Sequence, residues 1–443
     1  MQYYSTRNKK NGAVNFAAAA LTGLAPDGGL YVPETLPEYP PAVRSSLGTM
    51  SFQDIAFETI KPFVSPEIPD AALADMIHEA YSFEAPLRHV GDRMALELFH
   101  GPTAAFKDFG ARFMARAFAY LRRGEDKPLH ILVATSGDTG GAVADGFHGV
   151  QGITVTVLYP KGRVTPLQER QIAGLGGNIS AVAVEGSFDD CQRLVKEAFK
   201  NEGLKKRKDL SSANSINVSR LIPQAAYYAA AAGKAFTGVP ENAEGVFRAI
   251  AKQPIIFCVP SGNFGNLTAG LYALEMGAPI RGFIAATNRN RSVPDYLETG
   301  YYEARFSQAT ISNAMDVGAP SNFERLIAHW FSLNQFRRIV RGVWVSDDDT
   351  RKTIAEVHKT TGYFLDPHTA VGWRGVDQLL ANRRLPTGPL AVLATAHPAK
   401  FAETVEPLTG PVPVPQSLAE AMKRKPNAAI IPAEISALLE VLS

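Results

Sequence analysis

A lysine between two phenylalanines is the first feature of this chain with chemical potential. The stretch HGPTAAFKDFG (residues 100–110) places Lys107 between Phe106 and Phe109, where a Gly-Pro-Thr turn leads into a helical pattern. Apolar neighbours that withdraw a lysine from water lower the pKa of its amine and make it a nucleophile. A surface lysine whose stem covers apolar neighbours explains the same stretch equally well. Residues elsewhere in the chain must decide between the two interpretations.

Two glycine-containing turns offer sites for an anion. TSGDTGG (135–141) and SGNFGN (261–266) each follow a strand-like run and precede a helical segment. Such turns let backbone N–H groups at a helix N-terminus close around an anion. Neither turn is a Walker loop or a G-x-G-x-x-G fingerprint, so nucleotide binding is not the leading interpretation. Each turn alone is a weak signal, because strand-to-helix turns also need glycine for structural reasons.

A third polar stretch, NSINVSR (214–220), precedes a helical run. Asn214, Ser215 and Arg220 supply neutral and charged donors that suit a second anion. A capped helix start explains the same residues, and the sequence leaves both readings open.

The last strand-like run is followed by TAHPAK (395–400), which offers the hydroxyl of Thr395. That hydroxyl suits a ligand at a strand end or a helix cap, and His397 before Pro398 is more typical of a structural residue. The chain has no H-E-x-x-H, no cysteine quartet and no G-x-S-x-G elbow. A zinc hydrolase or a serine hydrolase therefore has no motif to support it, and no metal site is predicted.

The elements that must position these residues follow one repeated pattern of strand, glycine or serine turn, and helix. Strands alternating with helices predict an α/β protein with parallel sheets covered on both faces. The predicted strands are LHILVAT (129–135), TVTVLYP (154–160), ISAVAVEG (179–186), PIIFCVP (254–260), IRGFIAAT (280–287) and LAVLAT (390–395).

The remaining segments suggest how the chain is divided. Residues 1–90, which include the helical FQDIAFETIKPFV (52–64), are predicted to form an N-terminal extension. Residues 91–230 would form a first α/β region, and residues 231–443 a second that includes a loop-rich part at about 300–335. The tail IPAEISALLEVLS (431–443) has the pattern of one amphipathic helix.

Composition narrows the class of partner. Lys+Arg 45 nearly balances Asp+Glu 43, and the net charge of +2 disfavours a nucleic-acid-binding surface spread over the protein. The basic run KKRK (205–208) has no interleaved aromatic residues and fits a solvated helix end. No basic start is followed by an apolar run, and two distant cysteines fit a reducing compartment. We expect a cytoplasmic monomer or small homo-oligomer without nucleic-acid or membrane partners.

Taken together, these motifs resemble the threonine synthase family, in the longer branch shared by many bacteria and fungi. The resemblance runs from YYSTR and APDGGLYVP through HGPTAAFKDFG, ATSGDTG, NSINVSR and VPSGNFGN to LATAHPAKF. It implies the architecture of fold type II pyridoxal-phosphate enzymes: two parallel-sheet α/β domains with the cofactor between them, plus an N-terminal extension. The implied cofactor is pyridoxal 5'-phosphate.

The resemblance also implies residue roles in cofactor binding. Lys107 would be the Schiff-base lysine, and Thr395 would face the pyridine nitrogen. A hydroxyl there cannot hold that nitrogen protonated as an aspartate would, which leaves more of the proton control to Lys107. The loop that would hold the cofactor phosphate on backbone N–H groups consists mainly of Gly262, Asn263, Phe264, Gly265 and Asn266.

The substrate implied is O-phospho-L-homoserine. Ser136 and Thr139 would take its carboxylate side by analogy. Its phosphate would be taken by Asn214, Ser215 and Arg220, with Lys161 or Arg163 as helpers.

Two positions depart from the wider fold group. Many relatives have Ser-Gly-Asn to contact the phenolic oxygen of the ring, whereas this chain has Asp138 as the third residue. Relatives also favour Ser-Phe-Lys, whereas Ala105 precedes Phe106 here. Asp138 is expected to bind the cofactor, in a protonation state that the sequence leaves open.

The implied reaction converts O-phospho-L-homoserine and water to L-threonine and phosphate by γ-elimination and β-addition of water. Three alternatives stay open from the sequence. A phospho-lyase would release 2-oxobutyrate from the same substrate, and a serine or threonine dehydratase would not need Arg220. A non-catalytic binding protein would have no physical need for Lys107, the phosphate loop and Thr395 together.

Overall fold

The structure is a computed structural model that describes residues 1–237, 252–329, 332–383, 385 and 388–443. Its strands form a two-stranded, a five-stranded and a six-stranded sheet. The predicted α/β class is confirmed, and every strand predicted from the alternating pattern is present. The strands of the described residues are β1 (Tyr3–Ser5), β2 (Tyr31–Pro33), β3 (Leu87–Val90), β4 (Arg93–Glu97), β5 (Leu129–Ala134), β6 (Ile153–Pro160), β7 (Ile179–Glu185), β8 (Asp209–Ser211), β9 (Ile255–Pro260), β10 (Ile280–Thr287), β11 (Val340–Trp344), β12 (Leu390–Ala394) and β13 (Ala429–Pro432).

Helices connect most of these strands. The α-helices of the described residues are Phe16–Thr22, Pro41–Ser46, Phe52–Val64, Asp70–Ala80, Lys107–Leu121, Asp138–Phe147, Pro166–Ala173, Phe188–Lys200, Glu202–Arg207, Val218–Leu221, Ala225–Thr237, Gly265–Glu275, Ser292–Thr299, Phe323–His329, Leu333–Ile339, Asp347–Thr361, Pro367–Ala381, Ala402–Thr409, Gln416–Met422 and Ile435–Val441. Short 3-10 helices occur at Lys9–Asn11, Ile222–Gln224, Asn313–Met315 and Pro398–Phe401. Across this described part of the chain, no helix has the length and apolarity needed to cross a membrane.

The two larger sheets are built almost entirely from parallel strands. The five-stranded sheet has the order β13-β7-β6-β5-β8, and all its pairs are parallel. The six-stranded sheet has the order β11-β10-β9-β12-β4-β3, and only β3 runs antiparallel to its neighbour. Strands such as β5 and β9 are buried along their whole length, as expected for parallel strands covered on both faces. Because β9 and β12 are parallel neighbours, the turns that follow them open at the same sheet edge.

Helix starts follow local sequence signals. Ser187 and Asp190 form a capping box at the start of Phe188–Lys200, in which the Ser187 hydroxyl accepts from the N–H of Asp190 and the Asp190 side chain accepts from the N–H of Ser187. Thr165 and Gln168 form another before Pro166–Ala173, with Pro166 at the first helical position. These caps fix where the helices begin, and thereby which side chains face the sheet edges.

The tail departs from its predicted form. Residues Ala429–Pro432 form β13, which pairs in parallel with β7, and the helix begins only at Ile435. The prediction of a single helix over 431–443 was wrong. The apolar residues at 430 and 431 complete the edge of a sheet, a partner that lies some 250 residues earlier in the chain and leaves no local signal.

Two further predictions concern the loop-rich residues 300–335 and the division of the chain into three regions. Residues 300–335 contain the 3-10 turn Asn313–Met315 and the helix Phe323–His329 within extended loop, as predicted, while 330–331 lie outside the described residues. The division of the chain at about residues 90 and 230 stays a prediction. Strand pairing crosses these predicted boundaries three times, because β3 pairs with β4, β4 pairs with β12 and β13 pairs with β7.

Candidate active site

The turn before Lys107 is held by its own buried carboxylate. Asp108 accepts hydrogen bonds from the backbone N–H of Thr103 (2.9 Å) and from its hydroxyl (2.5 Å). Ala104 in the same turn has φ of 53°, a left-handed conformation that non-glycine residues rarely adopt. Backbone strain of this kind is retained where the surrounding contacts impose it. The turn therefore presents Lys107 in a fixed position at the first residue of its helix.

The same turn is joined to the strand end that carries Thr395. The N–H of Phe106 donates to the carbonyl of Thr395 (2.9 Å), and the N–H of His397 donates to the carbonyl of Ala104 (3.0 Å). The Thr395 side chain is buried, and no hydrogen bond to its hydroxyl is found among the described residues. Two parts of the chain almost 290 residues apart thus present a lysine and an unpaired hydroxyl side by side.

Only one of the two flanking phenylalanines contacts the lysine amine. Lys107 Nζ lies 5.2 Å from the centre of the Phe106 ring, and the lysine side chain is 13% exposed. Phe109 instead packs edge-on against Phe83 and Tyr227 on another side of the helix, since residues two apart do not share a helix face. The pKa of Lys107 is lowered to about 8, mainly by burial; Asp138 opposes this effect, while the charges of Lys400 and Arg220 add to it. The sequence interpretation of a desolvated amine is consistent with this environment.

Asp138 sits between two lysines. Its Oδ2 lies 3.8 Å from Lys107 Nζ, and its Oδ1 lies 2.8 Å from Lys400 Nζ and accepts a hydrogen bond from Gln168 Nε2 at 2.9 Å. Burial alone would raise the pKa of Asp138, but Lys400 and Lys107 hold it well below its ordinary value. The protonation state that the sequence left open is therefore the carboxylate. It also lies in the first turn of its helix, where the helix dipole favours negative charge.

The loop 261–266 leads from β9 into a helix through an unusual backbone. Phe264 adopts φ of 60°, which turns the chain so that the helix begins at Gly265. A Cβ atom at Gly262 would lie 2.7 Å from the carbonyl oxygen of Ala314, so only glycine permits this close packing. Asn266 accepts hydrogen bonds from the hydroxyls of Tyr227 and Tyr228 (2.6 Å each), while its buried Nδ2 has no partner.

The segment 213–220 joins the loop 261–266 to the helix of Lys107. Asn263 Nδ2 donates to Ser215 Oγ at 2.6 Å, which links the loop to this segment. A Cβ atom at Gly110 would lie 2.5 Å from the carbonyl oxygen of Arg220, so this glycine allows the helix of Lys107 to pack directly on it. The helix of Lys107, the segment 213–220 and the loop 261–266, which carry three of the predicted motifs, are therefore in contact. Asn214, within the segment 213–220, is half-buried.

Arg220 is a buried cation without a carboxylate partner among the described residues. Its Nη1 donates to the carbonyl of Ala213 (2.6 Å), and its buried Nε has no hydrogen-bond partner. Burial lowers the pKa of its guanidinium to about 10. Buried charges are normally paired, so an arginine of this kind is suited to an anion supplied from outside the chain.

These groups fit pyridoxal phosphate. The buried Lys107 amine suits attachment of its aldehyde carbon, and the free hydroxyl of Thr395 suits a ring nitrogen. The unpaired donors of Asn266 and Arg220, together with the helix start at Gly265, suit phosphate groups. In the described part of the chain, no group of three or more His, Cys, Asp or Glu side chains could hold a metal ion.

A cavity of about 780 Å³ adjoins this site. Its wall includes Ser136, Arg163 and Lys400, together with the loop residues Ser307 and Thr310. Thr310 is fixed by donating from its hydroxyl to Asp316 at 2.7 Å. The volume is sufficient for a small amino-acid substrate.

The remaining predicted residues have varied surroundings. Ser136 and Thr139 are half-buried at the start of the helix Asp138–Phe147. Lys161, considered as a helper, pairs with Glu185 at 2.9 Å and is largely exposed. The Nδ1 of His397 accepts a hydrogen bond from the N–H of Ala399, and burial lowers its pKa to about 4, so that the expectation of a structural role stays a prediction.

Sequence reasoning missed several groups. Lys400 and Gln168, which hold Asp138, were not identified, although a lysine next to Phe401 in AHPAKF resembles the signal that singled out Lys107. Asp366 and His368 were also missed. Their nitrogen–oxygen distance is 2.7 Å, and both are buried and electrostatically coupled to Lys107 or Asp138. Their local pattern, Asp-Pro-His, indicates only a helix start.

Comparisons with known proteins agree with this geometry. The chain matches the family "Pyridoxal-phosphate dependent enzyme" over residues 94–396, "Threonine synthase N terminus" over 2–81 and "Threonine synthase, C-terminal" over 369–441. It is 41% identical to threonine synthase of Escherichia coli (strain K12), with 100% of this chain and 99% of the relative covered. The crystal structure of threonine synthase from Escherichia coli superposes with a TM-score of 0.89 at 40% identity, covering 100% of this chain and 99% of that one. That of PLP-bound threonine synthase from Brucella melitensis superposes with a TM-score of 0.88 at 36% identity, covering 100% and 98%.

The fold and the site define a pyridoxal-phosphate-dependent enzyme of fold type II, with a lysine at the first residue of a helix and a glycine-containing loop between a parallel strand and a helix. Within that class, the chain belongs to the threonine synthase family. Its activity is the conversion of O-phospho-L-homoserine and water to L-threonine and phosphate, by γ-elimination followed by β-addition of water. It is thus a carbon–oxygen lyase of threonine biosynthesis.

Proposed function

We propose that Lys107 both carries the cofactor and moves the protons of the threonine synthase reaction in this chain. The observation that supports this most strongly is the placement of its amine. The amine is mostly buried, and it lies 3.8 Å from Asp138 in a setting that lowers its pKa to about 8. A base of that pKa is neutral in an appreciable fraction of molecules near neutral pH, and it can return the proton it takes.

Pyridoxal phosphate, when bound, supplies an electron sink that acidifies the Cα and Cβ protons of the substrate. The Lys107 amine takes the Cα proton and passes it to the phosphate group, which frees the amine to take a Cβ proton as hydrogen phosphate leaves from Cγ. The amine returns the Cβ proton to Cγ. Water then adds at Cβ, and the proton that it releases to Lys107 is delivered to Cα. One amine serves these transfers because Cα, Cβ and Cγ are adjacent, so that Lys107 reaches all three from one face of the substrate.

The cofactor would be held by groups on both sides of Lys107. Backbone N–H groups of Gly262, Asn263, Phe264, Gly265 and Asn266 would bind its phosphate at the start of a helix. The hydroxyl of Thr395 would form a hydrogen bond with the ring nitrogen of the cofactor, and Asp138 would face the ring as a carboxylate.

The substrate would be held at its two anionic ends. Arg220, with Asn214 and Ser215, would bind the leaving phosphate, because the unpaired Arg220 guanidinium is a buried cation that needs an anion. Ser136 and Thr139, at the start of the helix Asp138–Phe147, would take the carboxylate side. Arg163 on the cavity wall is available as a helper, whereas Lys161 is paired with Glu185.

We further infer that the chain acts in the cytoplasm as a monomer or small homo-oligomer, without nucleic-acid or membrane partners. The near balance of charge and the two free, buried cysteines support this inference. Light scattering after size-exclusion chromatography would measure the assembly state. The proposed three-part organisation, with boundaries near residues 90 and 230, would be tested by limited proteolysis.

Visible spectroscopy and product analysis test the role of Lys107. The purified protein should show an absorption band at about 410–420 nm that shifts when O-phospho-L-homoserine is added. Lys107→Ala should lose both the band and threonine formation, whereas Lys205→Ala, at a surface lysine paired with Glu202, should keep them. A colourless protein that pyridoxal phosphate cannot reconstitute would contradict the proposal. Release of 2-oxobutyrate in place of threonine would show that water is not delivered to Cβ.

A further inference from the structure

Lys400 is a fully buried lysine that joins three segments of the site. It lies in the turn after β12, and its Nζ donates to the carbonyl of Thr103 at 2.7 Å. The same nitrogen lies 2.8 Å from Asp138 Oδ1. Thr103 belongs to the turn that leads into Lys107, so Lys400 ties that turn to the helix that follows β5. A burial this complete is rare for lysine and requires satisfied partners.

The carboxylate of Asp138 is shared unequally between two lysines. Its Oδ1 takes both Lys400 and the Nε2 of Gln168 (2.9 Å), whereas Oδ2 faces Lys107 at 3.8 Å, beyond hydrogen-bond distance. Lys400 therefore holds the Asp138 carboxylate directly. Lys107 interacts with the charge of that carboxylate but does not form a hydrogen bond with it.

We propose that Lys400 is a positioning residue for the reaction: it holds Asp138 as a carboxylate and keeps it out of contact with Lys107, so that the Lys107 amine remains available. Without Lys400, a buried carboxylate would have Lys107 as its nearest cation. The two would then form a direct ion pair that traps the amine in its protonated, unreactive form.

The charges around Lys107 predict the direction in which its pKa should change when Lys400 or Asp138 is replaced. Asp138 and Asp366 favour the protonated amine, whereas Lys400 and Arg220 disfavour it, in addition to burial. On Asp138 itself, Lys400 and Lys107 act together, with a smaller contribution from His368. Removing the Lys400 charge should therefore raise the pKa of Lys107, and removing the Asp138 charge should lower it. General damage to the site would not move the two variants in opposite directions.

The test measures the Lys107 amine in the full-length chain. Competitive acetylation as a function of pH, read by mass spectrometry before cofactor is added, gives the midpoint of each lysine. Lys400→Met should raise the Lys107 midpoint by about one pH unit, the order expected for loss of a nearby like charge. Asp138→Asn should lower it. The control Lys205→Met, which removes a surface lysine paired with Glu202, should leave it unchanged.

The cofactor-loaded enzyme gives an independent readout. In Lys400→Met the acid limb of the kcat profile, which reports the enzyme–substrate complex in which the Lys107 amine is free, should move to higher pH, in the same direction as the Lys107 midpoint. A fall in rate without any movement of the midpoint or the limb would overturn the proposal, because a merely structural role predicts that pattern.

Unmodified protein keeps the proposal testable if Lys400→Met does not fold. Lys400 in the wild-type chain should resist acetylation over the pH range in which Lys107 reacts, since its Nζ is buried and doubly engaged. Equal labelling of the two lysines would overturn the inference. The inference rests on the proposed role of Lys107, but the two fail differently: a cofactor band that survives in Lys107→Ala removes the proposed function, whereas an unmoved midpoint removes only the role of Lys400.

Discussion

Arg220 is expected to weaken the folded protein in the absence of an anion. Burial lowers the pKa of its guanidinium from the ordinary value to about 10, which corresponds to a penalty of about 3 kcal/mol for holding the charge in the folded state near neutral pH. The single hydrogen bond from Nη1 to the Ala213 carbonyl returns about 1 kcal/mol, and losing it leaves that carbonyl unsatisfied. Arg220→Met keeps most of the side-chain volume. Its free energy of unfolding without phosphate should therefore equal the wild-type value or exceed it by up to about 2 kcal/mol.

Function should change in the opposite direction. Loss of a charge-assisted hydrogen bond to the substrate phosphate, about 1.5–3 kcal/mol, raises KM for O-phospho-L-homoserine by roughly 10- to 150-fold. Inorganic phosphate at ten times its dissociation constant should stabilise the wild-type, cofactor-loaded enzyme by about 1.4 kcal/mol. The same concentration should not stabilise Arg220→Met.

The chain contains a matched control, Arg325. It is also fully buried, and burial likewise lowers the pKa of its guanidinium to about 10. Its guanidinium, however, donates to the carbonyl of Tyr31 (3.0 Å), to Asn322 Oδ1 (2.6 Å) and to the carbonyl of Ile216. Arg325→Met leaves three acceptors unsatisfied, so it should destabilise the protein and leave stabilisation by phosphate unchanged.

Urea unfolding of the three proteins, with and without phosphate at constant ionic strength, measures both effects. The reasoning is refuted if Arg220→Met is destabilised as much as Arg325→Met in the absence of phosphate. It is also refuted if phosphate stabilises Arg220→Met as strongly as wild type, since the anion would then bind elsewhere.

Two further perturbations test the framework of the site. Burial lowers the pKa of His130 to about 4, so the unfolded chain binds a proton below pH 6.5 that the folded chain excludes, and stability falls as pH drops through this window. Between pH 7 and pH 5, urea unfolding should show wild type losing about 2 kcal/mol more than His130→Gln, and parallel curves would count against the buried neutral imidazole. Gly262→Ala places a Cβ atom 2.7 Å from the Ala314 carbonyl oxygen, so the loop must move. Equilibrium dialysis should show weaker retention of pyridoxal phosphate with little change in thermal stability, and unaltered retention would mean that this loop does not hold the cofactor.

Much of the fold was accessible from the sequence because its signals are local. Each predicted strand was a short β-branched run followed by a turn, and parallel sheets buried on both faces leave that pattern in the sequence. The tail was misread because β13 exists only through its pairing with β7. No periodicity within residues 431–443 reports a partner at 179–185.

Some properties of the candidate site could likewise be predicted from the sequence, and others depend on packing. Lys107 was found because two phenylalanines flank it in the sequence, although only Phe106 of the two contacts the amine. Arg220 was singled out for its donor fork, but its unpaired Nε and lack of a carboxylate partner are properties of its packing. Lys400 was passed over although Phe401 follows it, because its complete burial depends on packing against Asp138 and Thr103, which are distant in the sequence.

The sequence by itself determined the strand–turn–helix order, the helix caps, the glycines that admit close packing and the motifs that mark a threonine synthase. These depend on the conformational preferences of neighbouring residues. Tertiary structure decided which charges share one small volume of low polarity: Lys107 and Lys400 around Asp138, with Arg220 close enough to affect them. Electrostatic interactions act over distances of several ångströms through space, and they strengthen as water is removed. The reactivity of Lys107 is therefore set by residues that lie 31, 113 and 293 positions away from it in the sequence.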